Sequence, residues 1–118
     1  ISHDNSSNVI VETTTIDEYF DEKGSSPFVF LIDAEGAELS IFQGGRKFIK
    51  NNQPLMIFEY NHISKKHFNL EDVKRELGSN YSIYRLRKDG SLDENFINTW
   101  NLVAFPNNNS FFKIQDVK

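Results

Sequence analysis

The sequence predicts an α/β domain whose sheet is mostly parallel and whose strands are joined through helices. Two apolar runs, residues 28–32 and 55–58, contain no polar side chain, which is typical of strands buried on both faces of a parallel sheet. A helical pattern that begins near Gly36 lies between them, as in a strand–helix–strand crossover. Each run is followed by an acid, Asp33 or Glu59. Because neighbouring strands lie about 4.8 Å apart, we expect these two acids side by side at one edge of the sheet.

Length and composition limit the class of protein. The 118 residues suffice for one domain, which we predict to span residues 1–118, with residues 1–8 as a polar, linker-like start. The net charge of −4 disfavours nucleic acid as a partner, because phosphate requires a basic surface. No apolar run approaches the roughly 20 residues of a membrane span. The absence of cysteine excludes disulfides and fits a reducing, cytoplasmic location.

The first half of the chain carries signals for a strand and two helices around the crossover. Residues 9–11 form a β-prone run. The spacing of Thr15 and Glu18 matches a capping box, which predicts a short helix from Ile16 to about Glu22, ended by Gly24. The glycine pair at 44–45 predicts a break between the crossover helix and a further helical turn.

The second half predicts a helix and an antiparallel hairpin. Residues 70–77 carry apolar side chains at helical spacing. A strand at 81–86 is followed by the turn pair Asp89 and Gly90 and, after a longer loop, by a last strand at 100–105. We expect the aromatic C-terminal tail to pack against the core.

Three carboxylates cluster where the first apolar strand ends, at Asp33, Glu35 and Glu38. Ligands of open α/β sheets bind beyond the carboxyl ends of the strands, so this cluster is a candidate site. Alternatively, the acids favour the helix N-terminus, an effect of about 0.3–1 kcal/mol, and this explanation suits Glu38 best. Two adjacent carboxylates such as Asp33 and Glu59 are also able to hold a divalent cation such as magnesium.

The histidines that follow the second apolar strand give no metal signature. His62 and His67 lack the one-face helical spacing of a zinc pair, so we expect solvated loop residues. His62 nevertheless follows Glu59 closely enough to touch a substrate at the same edge.

Four segments together resemble the second half of an FkbM-type methyltransferase domain. They are TID at residues 15–17, IDAEGAE at residues 32–38, the glycine pair at 44–45 and a strand that ends at Glu59. Within the longest segment only Ala34 departs from the family's pattern, in which valine is frequent. The rest of the chain is compatible with the family but carries no specific motif of it.

The resemblance implies an S-adenosylmethionine-dependent O-methyltransferase that acts on a hydroxyl of a sugar or small secondary metabolite. It also implies a partial Rossmann-like methyltransferase sheet in three layers, mostly parallel with a C-terminal antiparallel hairpin. The implied catalytic residues are three acids, Asp33, Glu35 and Glu59. The positions implied to lie near the cofactor are Asp33 and Ala34, and those near the substrate are Asn61 and His62.

Two cofactor-binding features of the family are missing from this sequence. It has no Gly-x-Gly loop to receive the methionine end of the cofactor, and no acid on a preceding strand to hold the ribose. The chain also opens at Ile1 rather than at a methionine. We therefore expect a C-terminal excerpt of a methyltransferase domain, without the first cofactor-binding strands, that does not bind S-adenosylmethionine by itself.

The absence of the first cofactor-binding strands predicts an open sheet edge. Without those strands, the strand at 28–32 has an unpaired edge, which invites pairing. We expect residues 9–15, or a second copy of the chain in a homodimer, to cover it.

The alternative to an enzyme is a non-catalytic interaction or assembly module. A weaker alternative is a metal-dependent hydrolase that uses Asp33 and Glu59.

Overall fold

The computed structural model describes residues 2–4, 9–20, 27–97 and 101–114. Its strands are β1 (Ser2–Asp4), β2 (Val9–Val11), β3 (Val29–Ile32), β4 (Leu55–Glu59), β5 (Tyr81–Leu86), β6 (Leu92–Asp93) and β7 (Asn101–Pro106). Its helices are α1 (Ile16–Tyr19), α2 (Glu38–Gly44), α3 (Arg46–Asn52) and α4 (Leu70–Leu77), with a 3₁₀ turn at Ser64–Lys66. Residues 2–4, expected to be linker-like, pair with β2 as an antiparallel strand. Gly24 and Trp100, expected to end the first helix and to begin the last strand, lie outside the described residues.

The main sheet has five strands in the order β3-β4-β7-β5-β6. Only β3 and β4 pair in parallel, while the other three described pairs are antiparallel. The prediction of a mostly parallel sheet is therefore wrong for the described residues. The physical reason is the position of β7, which lies between β4 and β5 and is antiparallel to both. The predicted C-terminal antiparallel hairpin, between the strand at 81–86 and the last strand, is confirmed as β5 with β7, and the short β6 pairs with β5 on its other side.

Helices cover one face of this sheet and build the hydrophobic core there. Fully buried side chains from the helices meet fully buried side chains from the central strands, among them Phe42, Val73, Met56, Phe58 and Leu102. The rings of Phe42 and Phe58 pack edge to face, with centroids 5.2 Å apart. This shared cluster fixes the position of α2 over β4, and α2 begins directly after the loop that leaves β3.

The opposite face of the sheet has no helical layer in the part of the chain that the structure describes. The C-terminal residues Phe111, Phe112 and Ile114 line a groove of about 810 Å³ over β4 and β7. On β3, Val29 is 57% exposed and Leu31 is 79% exposed. The predicted burial of this strand on both faces is wrong, and the described residues form two layers rather than three. An apolar run cannot distinguish a buried strand from an edge strand whose second face lacks a cover.

The edge of β3 is open in the five-stranded sheet. The prediction that residues 9–15 cover it is wrong, because β2 pairs with β1 in a separate two-stranded sheet. All three residues of β2, which are Val9, Ile10 and Val11, have exposed side chains. Two segments with exposed apolar side chains, β2 and β3, therefore lie on the same chain.

The TID segment connects α1 to α3. Thr15 caps α1 by accepting a hydrogen bond from the Glu18 amide at 3.1 Å, which confirms the predicted helix start. The Asp17 carboxylate accepts hydrogen bonds from the amides of Lys47 at 3.1 Å and Phe48 at 2.8 Å. Since the first amides of a helix have no partner within it, Asp17 stabilises the start of α3.

An ion-pair cluster fastens the far edge of the sheet. The Asp93 carboxylate accepts from Arg85 Nε at 2.7 Å and from Arg87 at 3.1 Å. The hydrogen bonds from Arg85 are the main reason why the pKa of Asp93 lies well below its ordinary range, and burial opposes them. Because this pKa is lower in the folded chain, the resulting stability is present above the unfolded pKa of about 3.9.

We expect this stability to decrease as the pH falls below about 4, because the Asp93 carboxylate then takes up a proton in the unfolded chain while its ion pairs keep it ionised in the folded chain. In Asp93→Asn the loss of stability between pH 6 and pH 3 should be smaller than in the unchanged protein. Urea unfolding at both pH values measures it, and the exposed neighbour variant Glu94→Gln is the control. Equal losses in Asp93→Asn and in the unchanged protein would contradict this account.

Candidate active site

A tight loop connects β3 to α2 and carries the first acids of the site. Glu35 and Gly36 both have positive φ, at 51° and 101°, which turns the chain sharply between strand and helix. Glu38 is fully buried, and its carboxylate accepts hydrogen bonds from the amides of Ala34 at 2.8 Å and Gly36 at 3.0 Å. Glu38 therefore holds the loop from inside, which agrees with its expected structural role more than with a role in the site.

Three carboxylates converge at the carboxyl end of β3 and β4. Ile32 and Phe58 are register partners in the parallel pair, so that Asp33 and Glu59 follow at the same edge. One carboxylate oxygen from each of Asp33, Glu35 and Glu59 lies within 4.8 Å of the others. Asp33 and Glu35 are exposed, and Glu59 is half-buried. The structure thus brings all three predicted acids together.

The protonation of Glu59 is coupled to this arrangement. A hydrogen bond with Asp33 is the main cause that raises the pKa of Glu59, followed by burial and by the negative charge of Asp33. Asn61 lowers the pKa of Glu59 by a hydrogen bond, while the charge of Glu35 raises it further. A neighbouring negative charge disfavours the ionised form of a carboxyl group, which is why the charge of Asp33 acts in the same direction as burial on Glu59. Glu59 is therefore suited to take up a proton at a less acidic pH than an ordinary glutamate.

The two predicted substrate-binding residues have different surroundings. His62 is exposed in the turn after β4. Asn61 is only 8% exposed, and its amide donates to Glu59 Oε1 at 3.1 Å. Its Oδ1 accepts from the amides of Ile63 at 2.9 Å and Ser64 at 3.0 Å. The Asn61 side chain thus faces the acid and the turn rather than open solvent.

Sequence reasoning missed two residues near these acids. Asn101 is the register partner of Glu59 in the antiparallel pair of β4 and β7, so both side chains lie on the same face of the sheet. A Cβ atom placed on Gly36 would overlap the ring of His67, which therefore packs directly on the loop. No local pattern in the sequence identifies Asn101, because strand pairing decides that it lies opposite Glu59. For His67, the sequence did not reveal the rare backbone conformation of the loop on which its ring packs.

Gly36→Ala tests the packing of His67 on the loop. At a φ of 101° an added Cβ strains the backbone by about 1–2 kcal/mol, and the displaced His67 ring adds to this cost. Gly90→Ala is the control, since Gly90 also has a positive φ, of 86°, and nothing within 4 Å of an added Cβ. We expect Gly36→Ala to lose more unfolding free energy than Gly90→Ala in urea. Adding His67→Ala should remove the difference, and a difference that persists would show that His67 is not its cause.

The site supplies part of what S-adenosylmethionine requires. The exposed carboxylate of Asp33 is available to a cofactor at this edge. The amides of Ala34 and Gly36 are already bonded to Glu38 and cannot serve as donors to it. A cofactor would also need the glycine-rich loop that the sequence lacks. The three carboxylate oxygens form a donor set that suits a hard divalent cation.

Comparisons with known proteins identify the family. The family model of the methyltransferase FkbM domain matches residues 1–86. No curated protein and no solved structure matches the chain significantly. Among the described residues, no helix is long and apolar enough to span a bilayer.

Proposed function

Because the chain belongs to the FkbM methyltransferase family, we propose that its acidic edge activates an acceptor hydroxyl in an S-adenosylmethionine-dependent O-methyl transfer. The acceptor is the hydroxyl of a sugar or other small metabolite. The observation that carries the proposal is the convergence of Asp33, Glu35 and Glu59, with one carboxylate oxygen of each within 4.8 Å of the others, at the carboxyl ends of two adjacent parallel strands. In open α/β sheets this edge is where ligands bind.

The proposed chemistry assigns a proton transfer to Glu59. Its carboxylate accepts the proton of the acceptor hydroxyl, while Asp33 and Ala34 would hold the cofactor at the same edge, and Glu35 keeps this edge negative. S-adenosylmethionine, when bound, would supply the methyl group: the bond from its sulfur to the methyl carbon would break as the bond to the acceptor oxygen forms, and S-adenosylhomocysteine would leave. General-base help of this kind contributes about 10²–10⁴-fold to a rate.

Of the two residues expected near the substrate, Asn61 and His62, we propose that only His62 contacts the acceptor directly. His62 is exposed in the turn that follows Glu59. Asn61 is buried and bonded to Glu59, so its contribution to the acceptor depends on that carboxylate.

Methyl transfer from radiolabelled S-adenosylmethionine to methyl glycosides of glucose, galactose and rhamnose tests the function. We expect transfer when the chain is combined with strands that supply the glycine-rich loop, and no transfer or tight cofactor binding by the chain alone. Calorimetry of the chain with S-adenosylmethionine measures the second part, and tight binding would refute it. A cytoplasmic location, inferred from the absence of cysteine, belongs to the same proposal.

The open edge of β3 favours a second candidate, an assembly module in which two copies pair. Leu31 and Val29 are exposed on β3 beside an unpaired edge, and β2 exposes three apolar residues. An exposed strand edge is a template for another chain. We propose a homodimer in which this edge is covered, and sedimentation of Leu31→Lys should then show a monomer. Ile97→Lys replaces an equally exposed apolar residue outside β3 and is the control; a monomeric unchanged protein would exclude the dimer.

The same acids also support a weaker alternative, a metal-dependent hydrolase. Binding of a magnesium ion by the carboxylates of Asp33, Glu35 and Glu59 would support this alternative. Calorimetric titration with Mg²⁺ in the unchanged protein and in Asp33→Asn distinguishes it. If Mg²⁺ gives no heat of binding with the unchanged protein, the metal-dependent hydrolase is excluded, and the acids remain assigned to the acceptor hydroxyl.

A further inference from the structure

Hydrogen bonds connect Glu59, at the end of β4, to the turn that follows it. Ser64 is 1% exposed, and its hydroxyl accepts from the Asn61 amide at 3.3 Å and donates to the Glu59 carbonyl at 3.4 Å. Asn61 lies between these two residues and contacts both. The three residues form one buried network at the point where the strand delivers its acid.

The orientation of the Asn61 amide is determined by its own partners. Two backbone amides, those of Ile63 and Ser64, donate to Oδ1. Only the oxygen of a carboxamide accepts hydrogen bonds, so the NH₂ group is the one that faces Glu59. A flipped amide would place its nitrogen against two N–H donors. Asn61 therefore presents a donor to Glu59 Oε1 and fixes that oxygen.

Glu59 needs such a donor because of its neighbours. The carboxyl groups of Asp33 and Glu35 lie close enough to repel an ionised Glu59. A glutamate side chain has three rotatable bonds, and without a fixed contact the carboxylate would turn toward solvent. Catalytic groups must be held within a fraction of an ångström of the productive geometry.

We propose that Asn61 is a positioning residue that acts through Glu59 and does not itself bind the acceptor. This proposal rests on the proposed methyl transfer for its kinetic consequence. Its structural part stands on the hydrogen bonds alone. In the unchanged protein, Asn61 keeps the Glu59 carboxylate against Asp33 and directed at the edge where the acceptor binds.

Asn61→Asp separates this role from a role in shaping the turn. The aspartate keeps an oxygen that accepts from the amides of Ile63 and Ser64, so the turn should persist. It replaces the donor toward Glu59 by a carboxylate oxygen that repels it. Asn61→Ser is the second variant, because a serine hydroxyl also accepts from backbone amides two residues on but is too short to reach Glu59. Ser64→Ala is the control that alters the turn and leaves the donor in place.

Crystal structures of the variants give the first readout, which needs no activity. In Asn61→Asp and Asn61→Ser we expect residues 61–64 unchanged and the Glu59 carboxylate rotated away from Asp33. In Ser64→Ala we expect Glu59 to stay. A Glu59 side chain that keeps its place in both Asn61 variants would overturn the proposal.

Methyl transfer to the reactive methyl glycoside gives the second readout. We expect kcat to fall about 10²-fold in Asn61→Asp, as for a misplaced catalytic group, with KM for the glycoside unchanged. Adding Glu59→Gln should lower kcat no further than Glu59→Gln alone, because both act on one group. A raised KM with unchanged kcat would instead show that Asn61 binds the acceptor. If the unchanged chain transfers no methyl group even when it is combined with strands that supply the glycine-rich loop, the proposed function fails, while the crystal structures still decide the role of Asn61.

Discussion

Replacing Glu59 with glutamine is expected to lower methyl transfer by about 10²–10⁴-fold, because an amide cannot accept the proton of the acceptor hydroxyl. The size of the side chain is kept, so the half-buried edge of β4 should remain folded. Steady-state rates with the reactive methyl glycoside measure the effect. Glu35→Gln, at the neighbouring exposed acid, is the matched control and should cost much less.

The pH dependence of the methyl-transfer rate tests the role of Glu59 independently. The hydrogen bond with Asp33 raises the pKa of Glu59 above its ordinary value. The base must be ionised to work, so the rate should rise with pH through this raised pKa and be lost below it. In Glu59→Gln this acidic limb should vanish. An unchanged rate, or a limb that persists in the variant, would remove Glu59 from the mechanism.

Replacing Phe58 with alanine is expected to cost about 3–5 kcal/mol of unfolding free energy, as for buried phenylalanines in general. Phe58 is fully buried on the helix-covered face of β4, and its ring packs edge to face against Phe42. The total stability of a domain of this size is about 5–15 kcal/mol. The variant should therefore unfold at a much lower urea concentration than the unchanged protein.

Two comparisons make this prediction specific. Phe111→Ala removes a ring that is 67% exposed, and it should change the unfolding free energy by less than about 1 kcal/mol. Phe42→Ala should be as damaging as Phe58→Ala, and the double variant should lose less than the sum because the two rings share one contact. A loss below about 1 kcal/mol in Phe58→Ala would mean that the core relaxes around the cavity.

Much of the candidate site could be predicted because its information is local. Asp33 and Glu59 each follow an apolar strand directly, and parallel pairing of those two strands is enough to set them side by side. The capping of α1 by Thr15 and the loop into α2 likewise depend on residues within a few positions of one another. Even the role of Glu38 as a structural acid was one of the explanations that the sequence left open.

The errors arose where distant segments decide the outcome. The antiparallel direction of β7 was predicted, but its position between β4 and β5 depends on the packing of distant segments, which hydrophobic patterns do not describe. The exposure of Leu31 depends on whether another layer covers the sheet, and an apolar side chain looks the same in both cases. For Asn61 the sequence indicated the neighbourhood of the acids but not which group its amide would meet.

The sequence by itself determined the strand–loop–helix unit, the acids at its edge and the membership of the methyltransferase family. Hydrophobic runs, capping residues and a long motif act over a few residues each, so they can be read along the chain. Only the tertiary structure decided which strand lies beside β4, which face of the sheet lacks helices among the described residues, that Asn61 donates a hydrogen bond to Glu59, and that Asn101 lies opposite Glu59. Those contacts join residues through the turn after β4 and through strand register, which arise only when the whole chain has packed.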